Sequence, residues 1–210
     1  MTHAVLLGDS IFDNASYVAQ GHAVIDALRV ALPASWQATL IAVDGSTTSD
    51  VAMQLAGRPS DATHLLISCG GNDALGHLGI LQARCTNVHE ALGHLLPIVQ
   101  DFRHRYQAML ACAKKTQLPI VVCTIYDAIP SLDPVTRFAV GLFNDVIVRE
   151  AVAHDIDVMD LRTIVSEVAD FASMSPIEPS AQGAQKLARA LTNLLVLPGY
   201  LTKQTRVFSR

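Results

Sequence analysis

Short apolar segments alternate with longer amphipathic segments along this chain, and this alternation limits the folds open to it. Five apolar segments have strand length and are rich in β-branched residues without strict polar alternation: residues 4–7, 38–43, 65–68, 120–124 and 156–159. Such segments are typical of strands buried on both faces of a sheet. Strands that alternate with helices form parallel sheets with helices on both faces. The pattern therefore predicts an α/β fold, a three-layer α/β/α sandwich with a five-stranded parallel sheet.

The segments between the apolar runs have helical periodicity. Helices are predicted over residues 15–32, 49–57, 98–115, 136–154 and 180–197. The stretch 76–97 is the least regular part and is longer than an ordinary strand-to-helix connection. We expect this stretch to fold over the carboxyl edge of the sheet. Its leucines either complete the core or line an acyl pocket.

Length and composition narrow the class of protein. At 210 residues the chain is most simply one domain, residues 1–210. A net charge of −4 provides no basic surface for phosphates, so no nucleic-acid partner is expected. No apolar run approaches the ~18 residues that a membrane span requires, and the first strand begins too early for a signal peptide. The chain is therefore expected to be soluble and cytoplasmic, without a membrane partner.

Small and polar residues follow the first three predicted strands, at the sheet edge where ligands bind in parallel α/β proteins. Gly8-Asp9-Ser10 follows the first strand, Gly45 the second and Gly71-Asn72-Asp73 the third. By itself the Gly-Asp-Ser tripeptide fits a tight turn as well as a reactive serine. A phosphate-binding loop fits poorly, because the chain lacks G-x-G-x-x-G and a P-loop lysine and because Asp9 would repel phosphate.

In their order, these three blocks resemble three of the four sequence blocks of the SGNH/GDSL hydrolase family, over most of the chain. The resemblance implies a flavodoxin-like sheet and an esterase or lipase with Ser10 as nucleophile. It also implies an oxyanion hole built from the backbone N–H groups of Ser10 and Gly45 and the side chain of Asn72. Such donors lower the barrier to acyl transfer by roughly 3–4 kcal/mol each. Asp9 and Asp73 are expected to hold the loops that position these groups.

The fourth block departs from the family pattern. The family ends with Asp-x-x-His before a Pro-Ser-x-x-Gly stretch, whereas residues 175–183 read Ser-Pro-Ile-Glu-Pro-Ser-Ala-Gln-Gly. Glu178 stands in place of the histidine that acts as general base, and Ser175 stands in place of the aspartate. A free glutamate is a weaker base than histidine by about two pKa units. Burial raises the pKa of a carboxyl, and Pro176, Ile177 and Pro179 are suited to enclosing this one.

A glutamate base also accounts for the missing aspartate. Histidine becomes a cation when it takes the serine proton, and the aspartate stabilises that cation and fixes the tautomer. A glutamate becomes neutral when it takes the proton and has no tautomer to fix, so it does not need the aspartate that supports a histidine base. The alternative is that the site is catalytically inactive and the chain is a small-ligand binding protein on the same scaffold.

The leading hypothesis from the sequence is a serine hydrolase that cleaves small or medium acyl or acetyl esters through an acyl-enzyme on Ser10, with Glu178 as general base. The substrate is a small-molecule ester, and neither a cofactor nor a metal ion is expected. The sequence leaves open which ester is cleaved, whether water or another alcohol accepts the acyl group, and the oligomeric state. His77 is the best alternative base, although a solvated loop position is favoured, and His64 is expected to be structural.

Several other polar residues are expected to have structural rather than catalytic roles. Asp13-Asn14 is expected to cap the first helix. Tyr126-Asp127 and Asp160-Leu161-Arg162 follow the fourth and fifth strands and are expected to make hydrogen bonds within their loops. The short basic tail, residues 203–210, is expected to be frayed and solvated.

Overall fold

The structure is a computed structural model that describes residues 2–196 and 205–208. These residues contain a parallel sheet of six strands: β1 (Thr2–Gly8), β2 (Trp36–Leu40), β3 (His64–Ser68), β4 (Ile120–Cys123), β5 (Asp157–Met159) and β6 (Val207–Phe208). The strand order is β2-β1-β3-β4-β5-β6, and every neighbouring pair is parallel. The predicted α/β class and its five strands are confirmed, and the structure adds a sixth strand at one edge.

Helices cover both faces of this sheet. They are α1 (Val24–Ala31), α2 (Val51–Ala56), α3 (Gly71–Leu75), α4 (Val88–Lys114), α5 (Pro134–Ala153) and α6 (Ala181–Leu195), with 3-10 turns at residues 15–17, 78–82, 161–163 and 168–170. Residue 197, the predicted end of the last helix, lies outside the described residues. None of the described helices is both long and apolar enough to cross a membrane.

Two apolar cores lie on opposite faces of the sheet, and β1 contributes to both. Leu6 packs in the core that contains Leu28 of α1 and Leu187 of α6. Its neighbour Leu7 packs in the core that contains Phe102 of α4 and Ile147 of α5. Successive side chains of a strand point to opposite faces, so a strand covered on both faces is apolar throughout. This double burial explains the continuous apolar runs in the sequence.

The first predicted helix is wrong in its first half, because α1 begins only at Val24. Gly21 has φ of +80°, which a right-handed helix cannot accommodate. The N–H of Val24 is instead satisfied by Asn14 Oδ1 at 2.8 Å. Asn14 therefore caps α1 from ten positions upstream rather than from the adjacent residue, and Asp13 Oδ2 instead accepts from Asp44 N at 3.0 Å.

The irregular stretch predicted over residues 76–97 is also wrong in part, because α4 begins at Val88 and contains Pro97. Asn87 accepts a hydrogen bond from Glu90 N at 2.9 Å, and Glu90 Oε2 accepts one from Thr86 N at 2.8 Å. These are the contacts of an N-terminal capping motif. Pro97 has no N–H to donate to the Gly93 carbonyl. Both residues are exposed, so water can hydrate that carbonyl instead.

The expectation of a frayed C-terminal tail is wrong for residues 205–208. Val207 and Phe208 pair with β5 as strand β6. Arg206 donates from its guanidinium to Asp157 Oδ2 at 2.6 Å and lies over the ring of Phe208. Residues 203, 204, 209 and 210 lie outside the described part of the chain.

Candidate active site

The carboxyl ends of β1, β2 and β3 bring the three sequence blocks to one edge of the sheet. Gly8 ends β1 with φ of +118°, and a Cβ atom there would lie 1.7 Å from the Ser68 carbonyl oxygen. Only glycine fits this close approach. Asp9 N donates to the same Ser68 carbonyl at 3.0 Å. These contacts turn the chain away from the sheet so that the half-buried Ser10 lies at its edge.

A buried glutamine, which the sequence interpretation missed, ties the first two blocks together. Gln54 of α2 accepts from Gly8 N at 2.7 Å and donates from Nε2 to Gly8 O at 2.9 Å and to Ser46 Oγ at 3.1 Å. The backbone of Gly8 is thereby satisfied at the end of the strand. The one polar position within the segment Val51–Ala56 is the signal that could have identified this residue.

Three hydrogen-bond donors lie in the blocks predicted to form an oxyanion hole. The backbone N–H groups of Ser10 and Gly45 donate to no residue that the structure describes. Asn72 Nδ2 donates to Ser46 O at 2.9 Å, which leaves its second amide hydrogen available. Ser10 and Asn72 line one pocket, whereas Gly45 lies on the adjoining β2–α2 loop and does not line it. Open donors of this kind can stabilise a developing oxyanion.

Glu178 is buried, with 3% of its surface exposed, and its backbone is held on both sides. Its N–H donates to Ser175 O at 3.2 Å and its carbonyl accepts from Ala172 N at 2.8 Å. Pro179 is buried beside it, and Ile177 is half-buried. Pro176 is exposed, so its predicted contribution to an apolar enclosure is wrong.

Two buried side chains hold the carbonyl groups on either side of Glu178. The Tyr126 hydroxyl donates to Ile177 O at 2.5 Å, and Asn14 Nδ2 donates to Pro179 O at 2.9 Å. The Tyr126 hydroxyl thus bonds to a different loop rather than within its own loop as expected, and Tyr126 also lines the pocket. The Asn14 contact joins residues far apart in the sequence and was not predicted.

The environment of Glu178 alters its acidity. Burial raises the pKa of this carboxyl above its ordinary value, and the charge of Asp44 acts in the same direction. The nearby hydroxyls of Ser175 and Ser10 partly offset this rise. Glu178 Oε2 is buried and has no hydrogen-bond partner within residues 2–196 and 205–208. A carboxyl of raised pKa beside a hydroxyl is suited to accept its proton.

Asp9 and Asp73 are buried next to these groups and bind the site loops. Asp9 Oδ1 accepts from Ile11 N at 3.1 Å, which closes the turn that carries Ser10. Burial raises the pKa of Asp9 to about 7, and the charge of Asp73 contributes to the rise. Asp73 accepts from Thr48 N at 3.0 Å and Thr48 Oγ1 at 2.8 Å, linking the third block to the β2–α2 loop.

An apolar pocket extends from Ser10 and Asn72 between α3, α4 and α5. Its aliphatic and aromatic lining includes Leu75, Leu78, Ile80, Leu81, Leu95, Ile98, Val99, Ile125, Ile129, Leu132, Val140, Leu142, Phe143 and Ile177. Several of these belong to the stretch 76–97, whose leucines do not enter either buried core. Of these leucines, Leu78, Leu81 and Leu95 line the pocket, whereas Leu92 and Leu96 are exposed and belong to neither the pocket nor a core.

The two histidines singled out in the sequence lie at opposite ends of the sheet. His77 lies in the turn after α3, where it is half-buried and lines the pocket with Ser10. His64 begins β3 at the far end, where its Nδ1 lies 2.9 Å from Thr63 Oγ1 and its ring packs against Trp36. Asp160 pairs with Arg162 at 2.7 Å, which is a contact within the predicted loop.

Metal-binding residues do not converge in the described part of the chain. No group of three or more His, Cys, Asp and Glu side chains there is arranged to hold an ion. The arrangement at Ser10 thus contains a hydroxyl, a carboxyl of raised pKa, open backbone and amide donors, and an apolar pocket. These groups together suit acyl transfer.

Comparison with known proteins agrees with this fold. Solved structures with the same fold include a member of the lipolytic G-D-S-L family from Veillonella parvula (19% identity, 94% of this chain and 100% of that one, TM-score 0.68). Others are the lipase Lip_vut3 from a goat rumen metagenome (18%, 97% and 100%, TM-score 0.73) and a phospholipase A1 from Streptomyces albidoflavus (16%, 91% and 98%, TM-score 0.68). At these identities the likeness is one of fold.

The sequence itself matches no curated protein. It does match the model of the GDSL-like lipase/acylhydrolase family over residues 6–186, a range that contains Ser10, Gly45, Asn72 and Glu178. A match over most of the chain supports an ester-hydrolysing enzyme. The chain therefore belongs to the GDSL-like lipase/acylhydrolase family.

Proposed function

We propose that this protein is a serine hydrolase that cleaves carboxylic esters of small or medium acyl chain through an acyl-enzyme on Ser10, with Glu178 as general base. One observation carries the proposal: a buried carboxyl of raised pKa lies near the hydroxyl of a serine that lines an apolar pocket. A carboxylate without a cationic partner gains from taking a proton, because burial disfavours its charged form.

In the first half of the reaction, Glu178 takes the hydroxyl proton as Ser10 Oγ attacks the ester carbonyl carbon. The carbonyl oxygen becomes an oxyanion, which accepts hydrogen bonds from Ser10 N, Gly45 N and Asn72 Nδ2. The tetrahedral intermediate then breaks its bond to the alcohol. Glu178 returns the proton to the departing oxygen, and the acyl group remains on Ser10.

In the second half, a water molecule attacks the acyl-enzyme while Glu178 takes one of its protons. The second tetrahedral intermediate breaks the bond to Ser10 Oγ, which recovers the proton, and the carboxylic acid leaves. Glu178 is neutral at each intermediate, so the negative charge moves from a buried carboxylate to the oxyanion donors. The mechanism needs no cation to stabilise the protonated base.

The apolar pocket supports an acyl group longer than acetyl. Burial of each methylene group contributes about 0.8 kcal/mol, so binding in this pocket favours esters whose acyl chain reaches its lining. Polar groups near Ser10 are Asp9, Asn72 and His77, which leaves the remainder of the pocket suited to hydrocarbon. We therefore propose that the acyl chain, rather than the alcohol, occupies this space.

Hydrolysis of p-nitrophenyl acetate and butyrate by the wild-type protein, Ser10→Ala and Glu178→Gln tests the proposal. Both variants are expected to lose activity, and a fluorophosphonate probe is expected to label the wild-type protein but not Ser10→Ala. Glu167→Gln is the matched control, because Glu167 is an exposed acid outside the site and its replacement should leave activity unchanged.

Two results would contradict the proposal in different ways. Full activity of Glu178→Gln would show that another group is the base, and His77 would be the next residue to replace. Absence of both hydrolysis and probe labelling in the folded wild-type protein would instead favour a small-ligand binding protein on the same scaffold.

A further inference from the structure

Gln54 makes three hydrogen bonds to two of the loops at the candidate site. Its Oε1 accepts from Gly8 N at 2.7 Å, and its Nε2 donates to Gly8 O at 2.9 Å and to Ser46 Oγ at 3.1 Å. The residue is buried. Both amide hydrogens and the carbonyl oxygen of the side chain are therefore bound, which fixes the orientation of the amide.

We infer that Gln54 is a positioning residue that holds the Ser10 turn and the loops of the oxyanion donors in their relative places. Gly8 lies two residues before Ser10, and Ser46 directly follows Gly45. The inference rests on the part of the proposed function that makes Ser10 the nucleophile and these loops the source of the donors. It does not depend on which residue is the base.

Ser46 joins the third block to the same network. Asn72 Nδ2 donates to Ser46 O at 2.9 Å, and Ser46 Oγ accepts from Gln54. Ser46 is itself buried. A displacement of Ser46 would therefore move the Asn72 side chain as well as the adjacent Gly45 N–H. Through these contacts Gln54 is connected to all three proposed oxyanion donors.

The position of Gly8 in the sheet explains why an amide suits this role. Leu6 pairs with Leu40, the last residue of β2, so Gly8 lies beyond the end of that strand. The amide offers an acceptor for the Gly8 N–H and a donor for its carbonyl, as a neighbouring peptide group would. Glutamate has the same size but offers at most one hydrogen, and none when ionised. Methionine offers neither a hydrogen nor a strong acceptor.

A purely structural role for Gln54 makes a different prediction. Replacement would then lower stability by leaving buried backbone groups unpaired, and the folded molecules would react as before. A positioning role instead lowers kcat in molecules that remain folded, because misplacement by about 1 Å can cost 10²-fold in rate. KM should change little, since Gln54 does not line the apolar pocket. The split between kcat and KM therefore separates the two roles.

The experiment measures kcat and KM for p-nitrophenyl butyrate in Gln54→Met, Gln54→Glu and Ser46→Ala, each well below its melting temperature. Both Gln54 variants are expected to lower kcat about 10²-fold with little change in KM. Ser46→Ala removes only one of the three hydrogen bonds and should lower kcat by less.

Gln107→Met is the matched control for these variants. Gln107 Nε2 donates to the buried Glu150 at 3.0 Å, and Gln107 does not line the pocket. Its replacement also removes a side-chain amide from a buried partner. The melting temperature of this control should fall, whereas its kcat should remain that of the wild-type protein.

Thermal unfolding shows whether each variant is folded at the assay temperature. A kcat within a factor of about three of wild type in the folded Gln54 variants would overturn the positioning role, whether or not their melting temperatures fall. If neither Gln54 variant folds, Ser46→Ala decides alone, and an unchanged kcat there overturns the role. With Ser10→Ala inactive, these results would leave the proposed function standing, whereas full activity of Ser10→Ala would remove both.

Discussion

Asn14 donates from Nδ2 to the Pro179 carbonyl at 2.9 Å, which joins the loop that carries Ser10 to the loop that carries Glu178. The Asn14 side chain is fully buried, and its Oδ1 accepts from Val24 N at 2.8 Å. One amide thus binds the nucleophile loop, the loop of the proposed base and the start of α1.

Asn14→Ala is expected to damage stability and activity together. The substitution leaves a buried carbonyl and a buried N–H unpaired, and each such group costs roughly 1–3 kcal/mol. We expect the free energy of unfolding in urea to fall by about 2–5 kcal/mol, and kcat to fall as the proposed base shifts relative to the nucleophile. Asn193→Ala, at an exposed position of α6, is the control and should change neither. Wild-type stability in Asn14→Ala would contradict this interpretation.

Asn72→Ala tests the side-chain donor of the proposed oxyanion hole. Loss of one such donor lowers kcat about 10²–10³-fold. KM should change little, because the interaction strengthens in the transition state. Asn72→Asp should be similarly impaired, since an ionised carboxylate cannot donate. Asn87→Ala is a useful comparison, because Asn87 caps α4 at an exposed site and its loss should affect stability more than kcat. A kcat within a factor of about three of wild type would count against this role for Asn72.

The pH dependence of activity follows from the acidity of Glu178. A general base acts when ionised, so kcat/KM is expected to fall as pH falls through the pKa of Glu178. Burial raises this pKa, so the fall should lie above the ordinary glutamate value of 4.5. The acidic limb of the pH profile of kcat/KM for a neutral ester should fit the ionisation of a single group. Activity that stays constant down to pH 4.5 would be inconsistent with a raised pKa at the base.

The raised pKa of Asp9 affects stability rather than activity, and its effect runs in the opposite direction with pH. Burial raises its pKa from 3.8 to about 7, so between these values the folded protein binds a proton that the unfolded chain does not. The stability that this carboxyl contributes is therefore lost as pH rises through that window. Asp9→Asn removes the buried charge and retains an acceptor for Ile11 N. Its melting temperature relative to wild type should be higher at pH 8 than at pH 4.5.

The control for that measurement is Asp145→Asn, which removes an exposed carboxylate of α5. Its effect on the melting temperature should be small and nearly independent of pH over the same range. Equal shifts at both pH values for Asp9→Asn would mean that the Asp9 carboxyl is not protonated preferentially in the folded protein.

Ala139→Phe tests whether the apolar pocket binds the acyl chain. Ala139 of α5 lines this pocket, and a phenyl ring there should occupy space that a longer chain requires. We expect the ratio of kcat/KM for p-nitrophenyl octanoate to that for the acetate to fall by about 10-fold or more. Ala153→Phe, at an exposed position of the same helix, should leave the ratio unchanged. An unchanged ratio in Ala139→Phe would place the acyl chain elsewhere.

The strands and the first three blocks could be predicted because their signals are local. Burial of a strand on both faces requires an apolar run, and each run can be recognised within a few residues. The close approach of Gly8 to Ser68 requires glycine at a strand end, so it marks the turn before Ser10 in the sequence as well. The predicted strand ends then placed Ser10, Gly45 and Asn72 at one edge of a sheet, and the family resemblance implied their roles.

Local signals were weaker where two of them conflicted. The helix predicted to begin at residue 98 begins instead at Val88, because Asn87 and Glu90 cap α4 there and the helix continues through Pro97. Strand β6 is only two residues long, and it forms because β5 offers a free edge to pair with. Neither outcome is decided by the residues of the segment alone.

The environment of Glu178 depends on parts of the chain that are remote in sequence. Its flanking carbonyls are held by Asn14 and Tyr126, and its acidity depends on burial and on the hydroxyls of Ser10 and Ser175. The sequence alone does not show whether a glutamate is buried or solvated, because this depends on what packs around the folded side chain. The amino-acid order therefore identifies the scaffold and the serine proposed as nucleophile, whereas the raised pKa of Glu178 arises only when distant loops pack together and exclude water.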